Sequence, residues 1–142
     1  MLTFAHAHAL PLNSTIPARA SQGNLEVIDE IVADHVLGDD AAIERTLGRQ
    51  SFKQVAVLFQ TAFPDAHIPL FDLIAEGDKV VARWGLRGTH RDMFMGVPPT
   101  DKPVSVDGII IYCFEDQKIV EYWGSFDTLG LMKQIGALPA TE

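Results

Sequence analysis

The stretch that decides the fold is Val106-Asp107-Gly108-Ile109-Ile110-Ile111-Tyr112-Cys113-Phe114-Glu115-Asp116-Gln117-Lys118-Ile119-Val120-Glu121-Tyr122-Trp123, with Asp127 four residues further on. Two runs rich in β-branched and aromatic residues flank Glu115-Asp116-Gln117, which predicts a hairpin of two long strands. Working back from it, His67 to Ala75 and Lys79 to Thr89 read as a second hairpin turning at Glu76-Gly77-Asp78. The expected strands are 67–75, 79–89, 103–114 and 118–126. Between the hairpins, residues 91–102 form a loop carrying Met93, Phe94, Met95 and Val97, exposed unless they fold over something.

Upstream the period changes. From Asn24, a plausible N-cap, Leu25, Ile28, Ile31 and Val32 recur at helical spacing. Gly38-Asp39-Asp40 then introduces Ala41 to Glu44. A longer helix spans about Ser51 to Phe63, with Phe52, Val55, Leu58, Phe59 and Ala62 on one face, and Pro64-Asp65 stops it. Asp127-Thr128 caps a last short helix ended by Gly136. Helices first and strands second predict an α+β fold: a cone in which a curved, mostly antiparallel sheet wraps N-terminal helices and leaves a cavity at one end. Residues 1–22, broken by Pro11 and Pro17, read as an irregular arm before a single domain over 23–142.

Composition narrows the partners. The chain of 142 residues carries 11 basic and 19 acidic side chains, a formal charge of -8, with no basic face, so nucleic acid and anionic membrane surfaces are not expected. The single cysteine rules out an internal disulfide framework. Leu2 to Leu12 is apolar but lacks preceding positive charge and is interrupted by histidines and a proline, so a cytoplasmic protein is expected rather than a secreted one. The histidines lie apart, without HExxH or a Cys/His set, and no metal site is expected.

Asp127 is the leading chemical candidate. A carboxylate at the mouth of an apolar cavity suits proton transfer, although an aspartate directly before a helix also serves as an N-cap, and the two roles are compatible. His90 ends a strand and is placed either to polarise a carbonyl or simply to meet solvent. Trp84, Phe94, Tyr122 and Trp123 are pocket-lining or core aromatics. Glu121 needs a partner, for which Arg83 or Arg87 is the natural cation. Cys113 reads first as a small buried hydrophobe.

Several segments together carry a family resemblance: Phe63-Pro64-Asp65, Ala75 to Trp84, Gly88-Thr89-His90, Phe94-Met95-Gly96-Val97-Pro98-Pro99-Thr100, Ile119 to Trp123, and Leu129 to Gly136. Residues 23–139 resemble the SnoaL-like polyketide cyclases, or ester cyclases, of the NTF2-like superfamily. The resemblance implies a cone-shaped α+β barrel, commonly dimeric through its sheet, with a hydrophobic pocket for a small apolar molecule and no cofactor. It also implies intramolecular aldol condensation with Asp127 as acid/base. His90, and less directly Arg83 or Tyr122, would stabilise developing negative charge. Cys113 stands where the family usually has a basic or polar residue, and Asp92, Asp101 and Gln117 stand where it has loop glycines. Two other activities fit the same fold: aspartate-activated hydration, isomerisation or epoxide opening, and ligand binding without chemistry.

Overall fold

The computed structural model describes residues 26–40 and 43–138. The expected arm over 1–22 and the helix start at Asn24 lie outside the described residues. Helix α1 (Glu26–Ile31) leads directly into strand β1 (Val32–Asp40), and β2 (Ile43–Leu47) returns antiparallel to it. Helix α2 (Arg49–Ala62), strands β3 (Leu70–Glu76), β4 (Lys79–Thr89), β5 (Pro103–Glu115) and β6 (Lys118–Phe126), and helix α3 (Thr128–Gln134) follow.

The sequence pattern gave no strand before His67, so β1 and β2 are a correction. Val32, read on a helical period, and Val36 are fully buried on β1, which pairs parallel with β6. A central position between two strands outweighs the local period, because strand preference depends mainly on what the strand packs against.

The expected cone-shaped barrel with a curved, mostly antiparallel sheet is also corrected. The six strands form an open, mixed sheet in the order β2-β1-β6-β5-β4-β3. Its edges, β2 and β3, do not pair with each other, so among the described residues nothing closes it, and β1 runs parallel to β6. Closure requires the two edge strands to meet in register. Here the chain enters the sheet beside β6 and grows outward to β2 instead.

Helix α2 packs on one face of this sheet. Arg49 reaches Asp34 at 2.6 Å and Lys53 reaches Asp29 at 2.8 Å, tying the start of α2 to α1 and β1. The Lys53 bond holds the exposed Asp29 carboxyl below its ordinary range. At the far end of α2, the Arg91 N–H donates to the Ala62 carbonyl at 2.8 Å, satisfying an acceptor that helix geometry leaves free. Two apolar clusters fill the space beneath. One joins Val27, Ile28, Ile31, Val32 and Val36 to Tyr112, Ile119 and Tyr122; the other joins Phe63, Leu86, Phe94, Val106, Phe126 and Leu131.

The β5–β6 hairpin turns where the sequence indicated, but not on glycine. Asp116 and Gln117 adopt φ of 51° and 66°, the left-handed pair that a two-residue hairpin turn demands. Glycine enters this region freely, whereas a side chain does so at a cost. Gln117→Gly should therefore stabilise the fold by roughly 0.5–1 kcal/mol, raising the melting temperature by a few degrees. An unchanged or lower melting temperature by calorimetry would show that the turn carries no strain.

Candidate functional site

Which face of each strand meets α2 follows from the registers. On β4, Val80, Ala82 and Leu86 are buried and Trp84 packs on the second cluster, so the alternate residues Arg83 and Arg87 point to the other face. On β6, pairing slips between Cys113 and Phe114, leaving Val120 as the extra residue of a bulge. The slip puts Ile119 on the same face as Tyr122, Gly124 and Phe126, and both Ile119 and Tyr122 join the first cluster.

Among the expected pocket residues, Trp84, Phe94 and Tyr122 therefore lie on the helix-covered face. Arg83, Cys113 and Trp123 lie on the opposite one. Arg83 bonds Asp72 at 2.7 Å, and its guanidinium stands 4.9 Å from the centre of the Phe71 ring. Arg87 bonds Asp107 at 2.9 Å. Neither arginine pairs with Glu121 as the sequence reading supposed, since each has a carboxylate on a neighbouring strand of its own face. Burial pushes the Cys113 thiol up, and the nearby Asp78 carboxylate, 3.7 Å from the sulfur, adds to this. A thiol so placed stays protonated and is a poor nucleophile.

Phe94 is drawn inward by a tight turn of its own. Phe94 and Val97 exchange backbone hydrogen bonds of 3.0 and 2.9 Å around Met95 and Gly96, both at positive φ. Phe94 is fully buried, while Met93 and Met95 remain at the surface. Tyr122 is fixed rather than free: its hydroxyl lies 2.6 Å from Thr46 Oγ1, and its ring occupies the space a side chain at Gly38 would need.

His90 is fully buried. Its main chain bonds the Lys102 carbonyl and the Asp101 N–H, and its Nδ1 lies 2.9 Å from Thr100 Oγ1, so the residue closes the base of the 91–102 loop. Its ring faces Phe63 at 6.0 Å, and Nε2 is buried with no hydrogen-bond partner among the described residues. A buried polar atom without a partner costs about 1–3 kcal/mol.

Asp127 is exposed and caps α3, its Oδ1 accepting the Gly130 N–H at 2.9 Å. A Cβ at residue 130 would collide with this carboxylate, so the glycine lets it lie over the first helical turn. Oδ2 has no partner among the described residues. The Asp127 N–H donates to the Asp107 carbonyl at 3.1 Å, whereas His90 is anchored to Lys102. Five residues separate those anchors, roughly 17 Å at strand rise. The structure thus anchors the main chains of Asp127 and His90 at separate points along the 102–107 segment rather than at one.

Elsewhere several apolar side chains on the helix-covered face are not fully buried. Phe52, Ala56, Leu58 and Phe59 of α2 and Trp84, Ile110 and Phe114 of the strands pack on the clusters yet remain half-buried. That half-buried apolar surface is the candidate ligand recess. On α2, beside Phe59, sequence reasoning missed Gln60, whose Oε1 is buried and unpartnered among the described residues. A single polar residue among Ala56, Phe59 and Phe63 was the available signal. Among the described residues no cluster of three or more His, Cys, Asp or Glu side chains is placed to hold a metal ion, and no helix is long and apolar enough to cross a membrane.

An open mixed sheet carrying one long helix over an apolar recess, with a carboxylate on the cap of a terminal helix, places the chain among NTF2-like α+β proteins. The sequence profile of the SnoaL-like polyketide cyclases matches residues 14–135, and the protein belongs to that family. Among solved structures, TsrD from Streptomyces laurentii aligns with a TM-score of 0.84 at 28% identity, covering 93% of this chain and 97% of that one. IdmH from Streptomyces antibioticus aligns with a TM-score of 0.72 at 30% identity, covering 87% and 94%. A protein from Jannaschia sp. CCS1 reaches a TM-score of 0.85 over 98% and 96% of the chains, but at 23% identity it speaks to the fold alone. No curated protein matches the chain significantly.

Asp65 positions the β4 end that carries His90. Its two oxygens accept the Thr89 N–H at 2.9 Å and the Thr89 hydroxyl at 2.7 Å. The hydroxyl bond is the main cause that holds the Asp65 carboxyl below its ordinary value. A lowered folded-state value stabilises the protein above the unfolded carboxylate range, and that contribution disappears as the pH falls through the folded value. Thr89→Val should therefore lower stability near neutral pH, with the difference from the parent shrinking below about pH 4. A pH-independent difference in urea unfolding would show that the bond does not favour the charged carboxylate.

Proposed function

We propose that the protein is a cofactor-independent cyclase that closes a ring by intramolecular aldol condensation of a small apolar polyketide ester, with Asp127 as the proton carrier. The observation that carries this reading is the state of the Asp127 carboxylate. One oxygen is fixed by the Gly130 N–H and the other is free, and the residue directly follows Phe126, which is buried in the apolar cluster that lines the recess. A substrate lying in the recess would cover the carboxylate and exclude water from the reacting atoms.

In this scheme Oδ2 takes a proton from a carbon between two carbonyls. The resulting enolate carbon bonds to an internal carbonyl carbon, whose π electrons move to oxygen as an alkoxide. The Asp127 acid then returns the proton to that oxygen, so the product is an isomer of the substrate and the reaction is redox-neutral. His90 serves the other end of the substrate, its Nε2 bonding a remote oxygen. Trp84, Phe94 and Tyr122 supply apolar surface or hold the elements that do. Epoxide opening by an arginine–aspartate pair has no support, because Arg83 is turned to the opposite face and held by Asp72.

The opposite sheet face is the surface for a second copy of the chain. Across β6, β5, β4 and β3 the register aligns Trp123, Ile111, Val81 and Ile74, and Ile109 follows in the next row. Ile74 and Ile109 are 62% and 50% exposed, with Leu37 and Leu47 continuing the apolar surface on β1 and β2. Arg83 with Asp72 and Arg87 with Asp107 place both signs of charge beside this surface. A two-fold interface, in which one patch meets itself, requires such self-complementarity.

Asp127→Asn should retain the fold and lower turnover of a β-ketoester bearing an internal ketone by roughly 10²–10⁴-fold, as loss of a general base does. Turnover at the parent rate would reduce Asp127 to a helix cap. For the assembly, Ile109→Asp should convert a dimer to a monomer in light scattering. A parent protein that is itself monomeric at micromolar concentration would remove the second copy from this face.

A further inference from the structure

The recess has a polar feature that the proton chemistry at Asp127 does not use. Gln60 lies four residues after Ala56, which packs on the first apolar cluster, and three before Phe63, which belongs to the second. Residues so spaced share one stripe of a helix, so Gln60 stands on the sheet-facing side of α2 where the two clusters adjoin. Its neighbour Phe59 contacts Phe94 and Phe126 at ring distances of 5.3 and 6.0 Å, so the aromatic cluster begins one residue away. The Gln60 Oε1 is buried there with no hydrogen-bond partner among the described residues.

A glutamine in that position is poorly suited to be a packing residue. Its Oε1 loses water without gaining a partner, whereas leucine or methionine would fill similar volume at no such cost. Turning the amide over exchanges an orphaned acceptor for an orphaned donor and leaves the deficit in place. We infer that Gln60 is a specificity-determining residue that hydrogen-bonds a hydroxyl or enol group on an aromatic or polyketide-like ligand held in the recess. A hydroxyl both donates and accepts, so it satisfies either amide orientation. A site whose buried polar group requires a partner rejects the ligand that lacks one far more strongly than an apolar site rejects a small change of shape. Gln60 thus selects hydroxylated rings over bare hydrocarbons, while the aromatic walls bind both.

The inference rests on the reading of the recess as a ligand site but is independent of Asp127 chemistry. It is tested with 1-naphthol and 1-methylnaphthalene, which differ by a hydroxyl in place of a methyl, titrated calorimetrically into the parent protein, Gln60→Leu and Gln60→Met. The expected result is that both substitutions shift the ratio of the two affinities by about tenfold or more toward 1-methylnaphthalene, the size of one buried hydrogen bond. The methionine variant keeps the length of the side chain, so a shift common to both is not a change of volume. Binding of both probes with the ratio unchanged in either variant overturns the role of Gln60 and leaves the recess standing. Failure of both probes to bind the parent protein overturns the recess as a ligand site and the inference with it, while the Asp127→Asn turnover measurement judges the proton carrier separately.

Discussion

A chain of aromatic contacts holds the functional face together. Trp84 meets Phe126, Phe126 meets Phe59, Phe59 meets Phe94, Phe94 meets Phe63, and Phe63 meets His90, with centroids 5.2 to 6.1 Å apart. These rings come from β4, β6, α2, the 91–102 loop and the end of β4 again, so one cluster ties these elements together. Each tilted or edge-on pair adds about 0.5–1.5 kcal/mol beyond the area it buries. Gly108 makes the arrangement possible, because a Cβ there would press on Phe126 and on the Trp84 ring.

Much of this was legible in the sequence where the signal is local. The strands 79–89 and 118–126 and the two hairpin turns depend on alternation and on turn residues, and the structure has them at those positions. The long helix likewise ends beside Pro64. Long-range pairing was less accessible. Val32 and Val36 fit a helical period as readily as a strand, and only β6, distant in the chain, decides between them. The barrel expectation failed for a related reason: closure depends on where the edge strands end up, and no local pattern records that.

The site was legible in residue type but not in facing. A period of two already separates Arg83 from Trp84 and Trp123 from Tyr122, and the bulge at Val120 changes only the facing of Ile119. Arg83, Cys113 and Trp123 were grouped with Trp84, Phe94 and Tyr122 by residue type alone, although the sheet stands between the two sets. The Asp127 cap was foreseen as one of two compatible roles, and the geometry contains it. Burial of the His90 ring was not foreseeable from a strand end, since it comes from the loop folding back through Thr100, Asp101 and Lys102.

The parallel seam between β1 and β6 also bears on how the molecule assembles. Four of the sheet's five seams join strands close in sequence, and these can form early. The seam between β1 and β6 joins nearly the first and the last strand, so its loop-closure entropy is paid across most of the domain. Until it forms, the β1–β2 ribbon has no place in the sheet, and the first apolar cluster lacks either its α1 side or its Tyr112 and Tyr122 side. Completion of the core is thereby postponed to the end of folding, and a chain emerging from the ribosome must wait for its C-terminal strand before its N-terminal one is held.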